Sequence, residues 1–162
     1  MKTINTVLAA MLIVPLLAGC ASTPIAIATV GPGPTSQKDH YGDGYIKVFS
    51  NTKKHRIGDG PAYYTHTGYS LYDESGNRIQ YVANHIGEMD ESPSLVTIPA
   101  GNYKVVANSS AYGRVTVPVV VQGGEITVLH LDRGWRPAST VSTNELVRLP
   151  DGEAVGWSSV SR

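Results

Sequence analysis

The stretch that decides the fold is TIPAGNYKVVANSSAYGRVTVPVVVQGGEITVLHL, which runs from Thr97 to Leu131. Apolar residues recur at every second position in three short runs, and glycine-containing segments separate the runs. A period of two is the pattern of a β-strand with one buried face. The Gly123-Gly124 pair is typical of a two-residue hairpin turn. This stretch therefore predicts three consecutive strands.

A turn at Gly123-Gly124 also predicts a register for the last two strands. Cross-strand neighbours would then share one apolar, inward face: Val121 with Ile126, Val119 with Val128, and Val117 with His130. A slip by one residue would scatter these side chains over two faces. We therefore expect His130 to lie on the core side of the sheet.

The same alternation extends upstream of Thr97, with turn residues at regular distances. Together with the three runs above it gives seven predicted strands: 44–50, 62–72, 78–85, 94–99, 103–109, 114–122 and 125–132. Short strands at such spacing are the signature of a sandwich or barrel. We expect a type I turn at residues 73–77, with Leu71 facing Ile79 and Tyr69 facing Tyr81.

Composition supports the same fold class. The chain has 17 glycines, 10 prolines and 9 tyrosines but a single phenylalanine, and runs of good helix formers are missing. This usage is typical of an all-β protein with many turns. Beyond a polar connection after Asp132, the segment ELVRLPDGEAVGWSS carries a strong turn signal at 149–153 and predicts a C-terminal hairpin.

The Pro-x-Gly-x-Tyr turn at 99–103, followed by a strand, a glycine bend and a closing strand, resembles carboxypeptidase regulatory-like and PEGA-type domains. That resemblance implies a seven-stranded transthyretin-like, or prealbumin-like, β-sandwich. We accordingly expect a sandwich domain at 44–132, then a polar connection and the hairpin at 133–162. The resemblance implies a fold and does not specify a function.

The N-terminal segment predicts an export signal. Lys2 precedes an apolar run from Val7 to Leu17 that is too short to span a bilayer as a helix. LAGC, ending at Cys20, resembles the lipobox of bacterial lipoproteins, and Cys20 is the only cysteine in the chain. The resemblance implies a signal peptide at 1–19 and an acylated Cys20. Ala21 stands where an aspartate would retain the protein in the inner membrane, so the family rule points to the outer membrane, periplasmic side.

Residues 20–43 contain proline, threonine and serine without sustained alternation, which predicts a flexible tether. The folded part would then stand roughly 25 Å from the lipid, as a flexible chain of about 20 residues spans that distance.

The sequence offers few candidates for chemistry. None of the five histidines has metal-ligand spacing, and no nucleophile elbow or phosphate-binding loop occurs. The predicted register sets His66 opposite Asn84 and His85 opposite Thr65, so these imidazoles would point to opposite faces. We expect no catalytic residue, no metal and no cofactor. One ligand-binding candidate is an exposed strip formed by Tyr64, His66 and Tyr72, on which a sugar or a peptide would lie.

The charge balance excludes a nucleic-acid partner at the level of the whole chain, since thirteen basic and thirteen acidic residues cancel. We expect a non-enzymatic, lipid-anchored envelope protein that contacts the membrane through Cys20 and serves as a structural or interaction module. Its partners would be envelope proteins or peptidoglycan. Two alternatives stay open: a glycan- or peptidoglycan-binding module, and a hydrolase or metalloenzyme on the same sandwich. The oligomeric state does not follow from the sequence.

Overall fold

A computed structural model describes residues 27–34 and 42–159 of the chain. The predicted signal peptide at 1–19 and the predicted lipidation site Cys20 lie outside these residues. The described part forms one 3-10 turn, Thr143–Glu145, and twelve strands: β1 (Val30–Gly31), β2 (Asp43–Phe49), β3 (Thr52–Arg56), β4 (Ala62–His66), β5 (Tyr69–Tyr72), β6 (Arg78–Val82), β7 (Leu95–Pro99), β8 (Gly101–Ser109), β9 (Gly113–Val121), β10 (Ile126–His130), β11 (Leu146–Arg148) and β12 (Ala154–Ser158).

These strands form three sheets within the described residues. The large sheet has the order β11-β12-β1-β9-β8-β5-β6, the small sheet has the order β10-β2-β7, and β3 and β4 form a separate ribbon. All pairs are antiparallel except β1 with β9 and β10 with β2, which are parallel. The predicted all-β class is confirmed.

One hydrophobic core lies between the large and the small sheet. The small sheet contributes Ile46, Val48 and Leu129, and the large sheet contributes alternate residues of its central strands: Tyr69, Leu71, Val105, Val117, Val119 and Val121. All of these side chains are nearly or fully buried. Burial raises the pKa of the Tyr69 phenol above its ordinary value, because the charged form would lose its hydration.

The expected hairpin between β9 and β10 is wrong. Strand β9 pairs with β8 and β1, whereas β10 crosses to the small sheet and pairs with β2. The turn residues cause the crossing, because Gly124 N–H donates to Asp43 O at 2.9 Å and Tyr45 N–H donates to Glu125 O at 2.8 Å. These bonds direct the chain onto the start of β2.

The crossing reverses the faces predicted for β10. Thr127 and Leu129 point into the core, while Ile126 is exposed and His130 lies on the outer face. A buried threonine is tolerated here because its hydroxyl donates to Val120 O at 2.6 Å. The inward placement of Val117, Val119 and Val121 is confirmed.

The predicted turn at 73–77 forms, with Gly76 at a φ of 85° and Asp73 N–H donating to Asn77 O. A β-bulge next to this turn shifts the β5–β6 register, so that Tyr69 faces Val82 and Ser70 faces Tyr81. Tyr81, expected to face Tyr69, is therefore 61% exposed. A bulge adds one residue to one strand, which exchanges the faces beyond it.

Part of the expected tether is folded. Val30 is fully buried, and β1 lies between β9 and β12 of the large sheet. The expectation of a flexible tether over 20–43 is thus wrong for residues 27–34, while 20–26 and 35–41 lie outside the described residues. The C-terminal hairpin β11–β12 joins the large sheet through β1.

Candidate binding site

The expected strip of Tyr64, His66 and Tyr72 does not form. Tyr64 is exposed on β4 of the ribbon, whereas Tyr72 is half-buried on β5 of the large sheet. His66 is only 5% exposed, and its Nδ1 lies 2.7 Å from Ser50 O. The predicted strand at 62–72 is broken at Thr67, whose N–H donates to Asn51 O at 2.9 Å. These three side chains therefore do not offer one surface to a ligand.

The break at Thr67 is held by a buried asparagine that sequence reasoning did not single out. Asn84 Nδ2 lies 2.9 Å from Val48 O, 3.1 Å from Ser50 Oγ and 3.2 Å from Thr67 O. Its Oδ1 accepts the N–H of Ser94. One side chain thus connects the end of β2, the β4–β5 link and the start of β7. The expected pairing of His66 with Asn84 is wrong for the same reason.

An aromatic stack covers the outer face of the small sheet. His130 lies between two nearly parallel rings, with Phe49 at 4.6 Å and Trp135 at 4.8 Å between ring centroids. Trp157 meets Trp135 edge-on at 5.8 Å. This stack attaches the connection after β10 to the sandwich.

Enclosure in the stack lowers the pKa of His130 to about 4, mainly because the buried imidazolium would lose its hydration. The nearby Asp132 carboxylate opposes this shift, and His66 adds to it. His130 is accordingly neutral at pH 7. The expectation that it lies beside Val117 in the core is wrong.

In the acidic loop after β6, Asp90 and Glu91 accept hydrogen bonds from backbone N–H groups of the loop and of β4. Asp90 accepts the N–H groups of Ser92 at 3.0 Å and Ile86 at 3.2 Å, and these bonds hold the pKa of Asp90 below its ordinary value. Glu91 accepts the N–H of Tyr64 at 2.7 Å. In residues 27–34 and 42–159, no group of three or more His, Cys, Asp or Glu side chains could hold a metal ion.

A groove crosses the outer face of the large sheet and is the candidate ligand site that the described residues form. Its volume is about 300 Å³, at the lower end of the range for small-molecule pockets. Strands β8 and β9 form its floor, the β5–β6 turn one wall, and the chain around β1 and β12 the other. Its lining includes Thr29, Glu74, Asn102, Lys104, Pro118, Val120 and Ser159.

The floor of the groove follows from the β8–β9 register. Lys104 pairs with Pro118 and Asn102 pairs with Val120, so all four side chains share the outward face. Alternation in the sequence is sufficient to predict this outward face. It is not sufficient to predict the opposite wall, because Thr29 and Ser159 come from the two ends of the described chain.

The groove offers a cation beside an apolar floor. Glu74 Oε1 accepts from Asn102 Nδ2 at 2.8 Å, and Lys104 Nζ lies 3.5 Å from Glu74 O. In the part of the chain described by the structure, both ion pairs involve Arg133, so no carboxylate lies within ion-pair distance of Lys104, and the Glu74 carboxylate in the same groove accepts from Asn102 instead. The arrangement can accept an anionic oxygen at Lys104 while an apolar group contacts Pro118.

Comparison with known proteins adds no family assignment: no family model, no curated protein and no solved structure matches this chain. Across the described residues, the structure has no helix that combines the length and the apolar character needed to cross a membrane.

Proposed function

We propose that this chain is a lipid-anchored, non-enzymatic envelope protein whose β-sandwich presents an interaction surface at the membrane. The observation that carries the proposal is the LAGC motif, only a short distance before a strand built into the sheet. Cys20 precedes Ile27 by seven residues, and Val30 is fully buried between β9 and β12. A lipid on Cys20 would thus be connected to a rigid sheet by a short segment.

The proposed sandwich is transthyretin-like. Seven strands support this interpretation: β7-β2-β10 in the small sheet, and β6-β5-β8-β9 as consecutive neighbours in the large sheet. These strands correspond to the seven alternating runs of the sequence once 62–72 is divided at Thr67. In this proposal β1 and the β11–β12 hairpin extend one sheet, and the ribbon is an insertion between β2 and β5.

The anchor is tested by metabolic labelling with a fatty-acid probe. Wild-type protein and the neighbouring control Ser22→Ala should be labelled and should fractionate with the outer membrane, whereas Cys20→Ser should not be labelled. Probe incorporation into Cys20→Ser would contradict the anchor. Crosslinking in intact envelopes, followed by purification, would then identify the class of partner.

A second candidate function is binding of peptidoglycan or another glycan, and the groove favours it. Lys104 supplies an ammonium that forms no ion pair within the described residues, and Pro118 and Val120 supply apolar contact, which together suit a short peptide or a sugar that carries a carboxylate. Co-sedimentation with purified sacculi tests this candidate. Lys104→Glu should reduce binding, whereas Lys54→Glu on the ribbon should not; equal binding by both variants would contradict it.

A further inference from the structure

Several strands finish at the same end of the sandwich. Asn51 N–H donates to Asn108 O at 2.7 Å, and Ser110 N–H donates to Leu131 O at 2.8 Å, so β2, β8 and β10 all finish there. Strands β6 and β8 each run antiparallel to β5, which places the end of β6 and its following loop at the same end. The ribbon also begins there, directly after Asn51.

This end carries most of the exposed large apolar side chains of the described residues. Ile86, in the loop after β6, is 94% exposed. We define the apolar end by this residue and five others that are exposed on the ribbon, the β6–β7 loop, the start of β7 and the β8–β9 turn: Ile57, Tyr64, Met89, Leu95 and Tyr112. Ile79 and Tyr81 lie along β6, and Ile126 is exposed at the opposite end. Six of the nine exposed large apolar side chains of the described residues share this end, and grouping of exposed apolar residues is typical of an interaction surface.

The N-terminal strand leads toward the same end. Strand β1 runs parallel to β9, with Val30 beside Val119, so the residues before Val30 lead toward the beginning of β9. That beginning follows the turn that contains Tyr112. The seven residue steps from Ile27 back to Cys20 can span at most about 25 Å, since an extended chain advances roughly 3.3–3.6 Å per residue.

We propose that the apolar end is a docking surface for the bilayer that holds the lipid on Cys20, with the tips of the ribbon and of the β6–β7 loop in the headgroup region. This inference rests on the proposed lipid anchor. Because the anchor already holds the domain at the membrane, the second contact is intramolecular and a few apolar side chains are sufficient.

The charges of this end do not favour docking by electrostatic attraction. Segments 51–66, 83–95 and 110–114 contain four basic residues, Lys53, Lys54, Arg56 and Arg114, and four acidic residues, Asp59, Glu88, Asp90 and Glu91. Their formal charges cancel. Contact with the bilayer should therefore depend weakly on anionic lipid and on salt, in contrast to docking through a basic patch.

Fluorescence from a single labelled cysteine tests the surface. Cys20 is the only cysteine, so in the acylated protein an introduced cysteine is the only free thiol. Full-length processed Ile86→Cys and the matched control Ile126→Cys are labelled with an environment-sensitive dye. Each is reconstituted into phosphatidylethanolamine–phosphatidylglycerol vesicles that contain a headgroup-level nitroxide lipid. The dye at 86 should shift to the blue and be quenched, and the dye at 126 should show neither change.

The outcomes separate the docking surface from the anchor. Protein that floats with the vesicles but is quenched equally at both positions, or only at 126, would overturn the docking surface and leave the anchor intact. Floating protein without quenching at either position would also overturn it, and would point to a protein partner for the apolar end. Protein that does not float, and in which Cys20 itself reacts with the dye, would overturn the anchor and with it the docking surface.

Discussion

Replacement of Asn84 by aspartate probes the junction that divides the predicted strand at 62–72. Asn84 is fully buried, has a φ of 71°, and points its amide nitrogen at Val48 O, Ser50 Oγ and Thr67 O. The Ser94 N–H on the other side requires an oxygen there, so the orientation of the amide is fixed by its partners. Asn84→Asp keeps the size of the side chain but removes its donors.

The expected loss of stability follows from the oxygen atoms that surround residue 84. An ionised carboxylate would face two carbonyl oxygens without a cation, and an unpaired buried charge costs about 3–5 kcal/mol. The protonated form of the introduced carboxyl regains one donor and avoids the charge. Each hydrogen bond then lost costs about 1 kcal/mol. We therefore expect a loss of about 4 kcal/mol in the free energy of unfolding at pH 7 and about 2 kcal/mol near pH 4.

The direction in which the stability of Asn84→Asp changes with pH distinguishes it from the other variants. The folded-state pKa of the new carboxyl is raised above its unfolded value, so the folded state binds more protons and the variant regains stability as pH falls. Asn84→Gly is the control. It loses the side-chain hydrogen bonds but accommodates the positive φ, so its deficit of about 2–3 kcal/mol should not change with pH.

Urea unfolding at pH 7 and pH 4 measures both variants against wild type. If Asn84→Asp and Asn84→Gly were equally stable at pH 7 and the difference from wild type did not change with pH, the buried donor network would be refuted.

Two further predictions concern register and protonation. Val119→Asp should lower the melting temperature much more than Val120→Asp, because Val119 is fully buried between β8 and β1 whereas Val120 faces the groove; a larger loss for Val120→Asp would contradict the β9 alternation. Because the pKa of His130 is lowered to about 4, the unfolded chain binds more protons between pH 6.5 and 4, and stability declines as pH falls through this window. Between pH 7 and pH 5, wild type should lose about 1–2 kcal/mol more of its free energy of unfolding than His130→Phe, a figure that allows for partial solvent screening. Chemical unfolding at both pH values measures this difference. Equal losses would show that stacking of the imidazolium on Trp135 offsets its desolvation.

Local patterns in the sequence were sufficient for most strands of the sandwich and for the turn at 73–77, but not for β1 or β3. Alternation depends on the backbone alone, since successive side chains of a strand point to opposite faces. The inward face of β9 and the turn at 73–77 were therefore predictable. The β8–β9 register also fixes the floor of the groove, with Lys104 beside Pro118.

Prediction from the sequence failed where the same residues were compatible with two different local structures. Gly123-Gly124 is compatible with a hairpin, yet hydrogen bonds to the start of β2 direct the chain to the other sheet. In the same way, 62–72 was expected to form one strand, and hydrogen bonds of Thr67 to Asn51 and Asn84, both distant in sequence, divide it. Neither choice is encoded within the segment itself.

The sequence by itself determined the all-β class, the positions of most strands of the sandwich and the motif at Cys20, because strand alternation, turn chemistry and a signal motif are properties of short segments. Tertiary structure alone decided that β1 is inserted between β9 and β12, that His130 is stacked outside the core, and that the exposed apolar residues gather at one end. Those features depend on contacts between segments far apart in the chain, and the free energy of such contacts is set by partners that a local pattern does not contain.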